Sequence, residues 1–87
     1  MKSIEVRECE TTVRFFGPLE EVLGAPEKTV TLTYPQSDGS LRAALEAAFP
    51  ELHGQVFSVA VDQVIVAEGQ SITEAREIAL LPPFAGG

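Results

Sequence analysis

The stretch "EIALLPPFAGG", residues 77–87, begins with the pattern of a strand and ends as a tail. Neighbouring residues on a strand point to opposite faces of a sheet, so Ile78 and Leu80 can face a core while Leu81 faces out. The two prolines that follow have no N–H to give to a neighbouring strand, and they hold the chain extended. We therefore predict a strand that ends at residue 81 and a tail over residues 82–87.

The tail carries its chemistry at the last residue. Its members are Pro82, Pro83, Phe84, Ala85, Gly86 and Gly87. The phenylalanine is a candidate anchor against a partner, and the alanine and glycines are small enough to pass through a narrow channel. The terminal carboxylate is ionised at neutral pH and is unreactive until ATP-dependent adenylation gives it a leaving group. The alternative is a frayed end without a function.

Alternating strand and helix patterns precede this stretch. Strands are predicted at 12–17, 29–33, 56–61, 64–66 and 77–81. A short helix follows the first strand, from Pro18 to a stop at Gly24. The main amphipathic helix runs from Leu41, with Ser40 as its N-cap, to the Phe49-Pro50 pair. This order predicts an α+β fold in which one sheet covers one main helix.

The first residues leave two alternatives open. Residues 1–11 carry charges at nearly every other position, with Ile4 and Val6 between them. They form either an extended lead-in strand or a loose arm. We divide the chain into this N-terminal segment, a single folded domain over 12–81, and the tail over 82–87.

Charge and cysteine content narrow the classes of partner and setting. Thirteen acidic residues against six basic ones give a formal charge of −7, which repels nucleic-acid backbones and anionic lipid and favours a partner with a basic surface. The single cysteine, Cys9, cannot form an internal disulfide, and the sequence shows neither a signal-peptide pattern nor an apolar run of membrane length. We expect a cytoplasmic protein that binds no metal and no cofactor.

Large apolar side chains are predicted on both faces of the sheet. Phe16 and Leu81 face out if the residues beside them form the core. Ile65 faces out if Val64 and Val66 face in. These outward groups are covered either by loops or the N-terminal segment of the chain itself, or by a partner protein. We take Phe16, Ile65 and Leu81 as candidate partner-binding residues.

From residue 12 to residue 87 the sequence resembles the ubiquitin-like sulfur carriers, and among them the small subunit of molybdopterin synthase (MoaD-like). The resemblance rests on "VRFFGPLEEVLG" (13–24), "VAVDQVIV" (59–66) and the closing "EIALLPPFAGG" (77–87). A proline pair before the last glycines is typical of the molybdopterin branch, whereas the thiamin carriers (ThiS-like) usually end in Gly-Gly without it. The resemblance implies a β-grasp fold, with a mixed sheet of about five strands wrapped on one helix.

The resemblance also implies a reaction at the terminus. Gly87 would be adenylated with ATP by an E1-like enzyme and converted to a thiocarboxylate. The tail would then enter the large subunit of molybdopterin synthase, whose interface in this family meets apolar sheet residues at the positions of Phe16, Ile65 and Leu81. The chain would have no active site of its own, and we expect it to bind neither nucleic acid nor a membrane.

The sequence departs from the family pattern in three places. Its N-terminal arm is longer than usual, Glu20 stands where a basic residue is common, and "TEAR" (73–76) replaces the Asp-Gly turn usual before the last strand, which implies a different turn. Two other functions remain open, a sulfur carrier for thiamin or cysteine synthesis, and a ubiquitin-like modifier joined to lysines of target proteins.

Overall fold

A computed structural model describes residues 5–82 of the protein. In chain order the elements are β1 (Arg7–Phe15), α1 (Pro18–Leu23), β2 (Glu27–Tyr34), β3 (Gln36–Ser37), α2 (Asp38–Ala48), a 3₁₀ turn (Pro50–Leu52), β4 (Ser58–Val61), β5 (Val64–Ile65), β6 (Ser71–Ile72) and β7 (Glu77–Leu81). The alternation of strand and helix follows the predicted order.

The main sheet has five strands in the order β2-β1-β7-β4-β5. The β1–β7 pair is parallel and the other pairs are antiparallel, so the sheet is mixed. The last strand in the chain, β7, therefore lies in the middle of the sheet. A mixed sheet that wraps one main helix confirms the predicted β-grasp fold.

Strand β1 begins five residues before the predicted start of the first strand. It pairs with β2 from Arg7 opposite Tyr34 to Arg14 opposite Glu27. A buried hydrogen bond of 2.9 Å joins the hydroxyls of Thr11 and Tyr34. For residues 7–11 the structure thus shows the extended strand and not the loose arm.

Helix α2 begins earlier than the sequence predicts, and its N-cap is Ser37, not Ser40. The Ser37 hydroxyl accepts a hydrogen bond from the Ser40 backbone N–H at 3.2 Å, and the Ser40 hydroxyl accepts one from the Ser37 N–H at 3.1 Å. This reciprocal pair satisfies two donors that a helix start otherwise leaves unpaired. Ser40 is therefore the third helical residue, and the helix ends before Phe49 as predicted.

One buried cluster joins the sheet to the helices. Its largest fully buried members are Tyr34, Phe15, Leu41, Leu45, Leu52, Ile78, Leu80, Val13 and Val59. The rings of Phe15 and Phe49 meet edge to face with centroids 5.5 Å apart. This cluster covers the middle of the inner face of the main sheet, the face that carries Phe15, Ile78 and Leu80.

Two predicted strands are shorter than expected, and two short strands are new. The segment 56–61 is a strand only from Ser58, with Val56 exposed before it, and the segment 64–66 is a strand only to Ile65. The first strand ends at Phe15 and not at residue 17. Gln36–Ser37 and Ser71–Ile72 pair to form a second sheet that the sequence does not indicate. A strand of two residues is too short for alternation to be seen.

Candidate functional site

The outer face of the main sheet carries a shallow concavity of about 280 Å³, which we call the outer concavity. It is lined by Arg14, Phe16, Ala60, Gln63, Ile65, Glu77, Ala79 and Leu81. On β1 and β7 these residues alternate with core residues, as the two-residue repeat of a strand requires. The outer concavity therefore lies on the opposite side of the sheet from the core.

Two alanines form the floor of the outer concavity. Ala60 on β4 lies directly opposite Ala79 on β7, and Ala60 is also paired with Ile65 on β5. Opposed residues on neighbouring strands have their Cβ atoms about 5 Å apart, so two methyl groups leave room that larger side chains would fill. The depression exists because these two facing positions are small.

The three predicted partner-binding residues line the rim of the outer concavity. Phe16 is 41% exposed, Ile65 is 53% exposed, and Leu81 is half-buried. The structure brings all three into one lining although they come from three different strands or strand ends. Their role in binding a partner stays a prediction.

The two neighbours of Ile65 differ in exposure. Ile65 was expected to face out on the condition that Val64 and Val66 both face in; Val66 is buried, but Val64 is 63% exposed. Strand β5 is two residues long and lies at the edge of the sheet, with a neighbouring strand on one side only. An edge strand this short presents side chains to solvent on both faces.

Charged side chains close one side of the outer concavity. The Arg14 guanidinium lies 3.5 Å from the Glu27 carboxylate and 3.4 Å from that of Glu77, across three neighbouring strands. These groups are substantially exposed, so each ion pair contributes less than about 1 kcal/mol to folding. They give the outer concavity a polar border next to its apolar rim.

Asp62 ties the hairpin wall of the outer concavity to β7. Its carboxylate oxygen Oδ1 accepts hydrogen bonds from the backbone N–H groups of Arg76 at 3.1 Å and Glu77 at 3.0 Å. Asp62 and Gln63 both have positive φ, which suits a two-residue hairpin turn. Asp62 thus organises the start of β7, where the sequence predicts a turn unlike that of the resembled family. The sequence signal for this role was the position of Asp62 in the β4–β5 connection, since aspartate side chains often accept hydrogen bonds from backbone N–H groups at turns.

Strand β7 leads from the outer concavity to the tail. The Phe16 backbone N–H donates to the Leu80 carbonyl at 3.1 Å, so β1 and β7 remain paired to the last residues of the strand. Leu81 lines the outer concavity and Pro82 follows it. The other predicted tail residues, Pro83, Phe84, Ala85, Gly86 and Gly87, lie outside the described part of the chain, and what is expected of them stays a prediction.

Other reactive side chains lie apart from the outer concavity. Cys9 is half-buried on β1 against the core, and His53 Nδ1 lies 3.4 Å from a carboxylate oxygen of Glu46 at the surface. Within residues 5–82, histidine, cysteine, aspartate and glutamate form no group of three that could hold a metal ion. Across the same residues, no helix is long and apolar enough to span a bilayer.

Known proteins share this fold. The SAMP1 protein of Haloferax volcanii superposes with a TM-score of 0.68 at 26% identity, over 91% of this chain and 100% of that one. A proposed molybdopterin converting factor subunit 1 of Pyrococcus furiosus gives a TM-score of 0.70 at 14% identity, over 86% of this chain and 98% of that one. The small archaeal modifier protein 1 of Methanosarcina acetivorans gives 0.65 at 20% identity, over 93% and 99%. The last two, at these identities, show the fold alone.

The sequence comparison identifies the family of this chain more specifically than the structural comparison does. The family model described as the ThiS family matches residues 13–87, which includes the two closing glycines. That range holds the strand that borders the outer concavity and the whole of the predicted tail. The chain belongs to the ThiS family of ubiquitin-like proteins.

Proposed function

We propose that this protein is a sulfur carrier of molybdenum cofactor biosynthesis, the small subunit of a molybdopterin synthase, and that Gly87 carries the sulfur as a thiocarboxylate. The observation that supports this most directly is the continuity between a docking surface and the tail. Leu81 lines the outer concavity, and Pro82 begins the segment that ends at Gly87. A partner seated on the outer concavity would have the tail beside it.

The proposed chemistry begins with an inert carboxylate. An oxygen of the Gly87 carboxylate bonds to the α-phosphorus of ATP in the E1-like enzyme, and pyrophosphate leaves. Sulfur at the level of hydrosulfide then attacks the carbonyl carbon of the adenylate, AMP leaves with one of the former carboxylate oxygens, and loss of the S–H proton to water gives the thiocarboxylate. The activating enzyme supplies the nucleotide site, and the large synthase subunit supplies the groups that act on the pterin precursor. This chain contributes the reagent.

The size of the outer concavity favours a protein partner over a small-molecule ligand. Ligand pockets usually measure about 300–1,000 Å³ and enclose most of the ligand, whereas this depression is shallow and about 280 Å³. An apolar rim over an alanine floor suits one large apolar side chain of a partner, and aromatic or branched anchors of this kind dominate the energetics of interfaces. The polar border at Arg14 and Glu77 resembles the rim that surrounds such an anchor.

A matched pair of variants tests the docking surface. Leu81→Glu places a charge in the outer concavity, and Val64→Glu places the same charge on an exposed apolar residue of β5 outside it. We expect Leu81→Glu to stay folded by circular dichroism and to weaken the complex with the large subunit about 100-fold or more, as loss of a buried anchor does. Val64→Glu should bind like the wild type. Equal affinities for the two variants, or an unfolded Leu81→Glu, would count against this surface.

The terminal chemistry has its own readout. Intact mass spectrometry of protein isolated from its native cells should show the replacement of one oxygen by sulfur, and a chain that lacks Gly87 should never show it. A wild-type protein that remains a plain carboxylate after incubation with the activating enzyme, ATP and a sulfur source would contradict the proposal. Co-purification of a large synthase subunit would identify the pathway, whereas a thiamin or cysteine enzyme would identify a carrier for that pathway.

A second candidate is a ubiquitin-like protein modifier. It is favoured by the likeness to SAMP1 of Haloferax volcanii, since a solved structure of the small archaeal modifier protein 1 of that organism is 25% identical to this chain. A modifier would use the same adenylated carboxylate but would pass it to lysine amines. Lysine-linked conjugates without any thiocarboxylate would establish this function in place of sulfur transfer.

A further inference from the structure

We propose that Gly17 is a positioning residue for the C-terminal tail. Its bare α-carbon forms the seat on which Pro82 lies, and this contact sets the direction in which the tail leaves the sheet. The inference rests on the proposed function for its consequence, because the tail is taken to be the reacting segment. The contact itself can be measured without any enzyme.

The contact is specific to one glycine. A side chain at Gly17 would place its Cβ 3.2 Å from Cγ of Pro82, with two further ring carbons within 3.8 Å. Carbon atoms at that separation are closer than ordinary van der Waals contact. At the other described glycines, Gly24, Gly39, Gly54 and Gly69, a Cβ would meet nothing within 4 Å. Only at Gly17, among the glycines of residues 5–82, does the missing side chain make room for another residue.

The seat is held rigidly from both sides. Phe15, two residues before Gly17, is buried, and Phe16 donates its N–H to the Leu80 carbonyl. On the other side α1 starts at Pro18 and is anchored in the core by Leu19 and Leu23. A group added at Gly17 would therefore displace Pro82, because the glycine itself cannot move without the core.

Packing has to hold Pro82 because hydrogen bonding cannot. In a parallel pair, a residue that donates to one residue of its neighbour accepts from the residue two positions further on. Phe16 donates to Leu80, so its carbonyl would accept from residue 82, which is a proline without an N–H. The Phe16 carbonyl instead accepts from the Leu19 N–H at 3.3 Å, at the start of α1. The sheet pairing stops where the contact between Gly17 and Pro82 begins.

The contact lies five residues before the proposed reacting group. A chain of five residues reaches at most roughly 16 to 18 Å, so a change at Pro82 bears on the positions that Gly87 can reach. Misplacement of a reacting group by about 1 Å can lower a rate about 100-fold. The direction set at Gly17 thus bears on where Gly87 arrives once a partner has docked.

The kinetic test compares Gly17→Ala with Gly24→Ala. Both glycines flank α1 and both have positive φ, at 61° and 75°, but Gly24 faces open space. Their ψ angles differ, because Gly24 (ψ 15°) is left-handed helical whereas Gly17 (ψ −138°) lies near a region adopted almost only by glycine, so backbone strain at Gly17 needs a control of its own. Pyrophosphate release by the activating enzyme gives kcat and KM for each variant. We expect Gly17→Ala to lower kcat about tenfold with KM unchanged, since neither glycine lines the apolar outer face on which a partner would dock, and Gly24→Ala to keep the wild-type kcat. Equal kcat values for the two variants, or a Gly17→Ala effect confined to KM, would overturn the proposal.

A double-mutant cycle separates the contact from backbone strain. Gly17→Ala forces an alanine into positive φ whether or not the proline ring is present, whereas the contact needs the ring carbons of Pro82. In a Pro82→Ala background, Gly17→Ala should therefore lower kcat less than about twofold further, because neighbouring sites that act through one contact are not additive. The same loss in both backgrounds would assign the effect to strain and overturn the role of the contact.

Nuclear magnetic resonance tests the seat without sulfur chemistry. We expect nuclear Overhauser effects between the Gly17 α-protons and the Pro82 ring protons. We also expect shifts of the Phe84 to Gly87 amide signals in Gly17→Ala but not in Gly24→Ala. Absent Overhauser effects would overturn the seat whatever the kinetics. A wild type that shows them and is never adenylated would leave the seat intact and refute the proposed function.

Discussion

The two faces of β7 differ in how completely their side chains are packed. On the inner face Ile78 and Leu80 are fully buried in the core, whereas on the outer face Ala79 and Leu81 border an open depression. Strand β7 thus completes the core on one face of the sheet and leaves an open depression on the other. The comparison teaches that the outer face is not a weaker copy of the inner face, because its small residues lie opposite each other and its large ones surround them. Such an arrangement leaves room for a side chain from outside the sheet, as the proposed docking surface requires.

The largest expected effect comes from the adjacent phenylalanines, which test the two faces with the same residue type. Phe15 is 1% exposed and Phe16 is 41% exposed. We expect Phe15→Ala to lower the free energy of unfolding by about 3–5 kcal/mol, because it removes a buried ring from the core. Phe16→Ala should lower it by about 1 kcal/mol or less, since much of that ring is already in water. Urea denaturation measures both, and similar losses would show that the outer face is part of the folding core.

A smaller effect is expected from the polar pair on the inner face. Tyr34→Phe removes the buried hydroxyl that bonds to Thr11, and we expect a loss of about 1 kcal/mol in the free energy of unfolding at neutral pH. Thr11 keeps its hydrogen bond to the Ala75 carbonyl at 3.2 Å, which limits the loss. A Tyr34→Phe variant as stable as the wild type would mean that the bond does not stabilise the inner face.

The same tyrosine predicts how stability depends on pH. Burial raises the pKa of Tyr34 above its usual value, and the hydrogen bond to Thr11 offsets part of the rise. Both folded and unfolded chains hold the proton below the usual value of about 10, so the full stability is present there. Above about pH 10 the unfolded chain loses the proton first, and stability falls until the pH passes the folded pKa. The wild type should therefore lose stability more steeply than Tyr34→Phe above about pH 10, and phenolate absorbance of this single tyrosine follows the titration.

The smallest expected effect concerns the polar border of the outer face. Arg14→Met removes the exposed ion pairs with Glu27 and Glu77, and we expect less than about 1 kcal/mol of change at low salt and almost none at about 1 M salt. Arg42→Met is the variant for comparison, because Arg42, unlike Arg14, is part-buried and also donates a hydrogen bond to the Phe57 carbonyl at 3.0 Å. A large, salt-independent loss for Arg14→Met would show that the outer face contributes to folding after all.

The features that follow local rules could be predicted from the sequence. Alternation placed Ile78 and Leu80 in the core and Phe16 and Leu81 outside it, because a strand repeats every two residues wherever it lies. Pro18 and Gly24 bound the short helix as expected, since their backbone preferences are intrinsic. The order of these elements indicated one sheet on one main helix, and the resemblance indicated the β-grasp fold.

The features that depend on distant partners could not be predicted. The outward position of Ile65 was tied to Val64 and Val66 both facing in, but Val64 is exposed because β5 is short and lies at the sheet edge. The alanine floor needs Ala60 and Ala79 to be opposite each other, which only the register between β4 and β7 decides. The contact of Gly17 with Pro82 joins residues far apart in the chain. Ser40 fits the sequence pattern of an N-cap, but Ser37 is the N-cap because it forms a reciprocal pair of hydrogen bonds with Ser40.

The central position of β7 has a mechanical consequence. This strand is paired along four residues with β1 on one side and along four with β4 on the other. A pull on the tail runs along the axis of the strand, so it loads these hydrogen bonds together in shear and does not peel them apart one at a time. An enzyme that draws the tail into its channel, or a machine that unfolds a conjugate from this end, would pull against a strand that is paired on both sides.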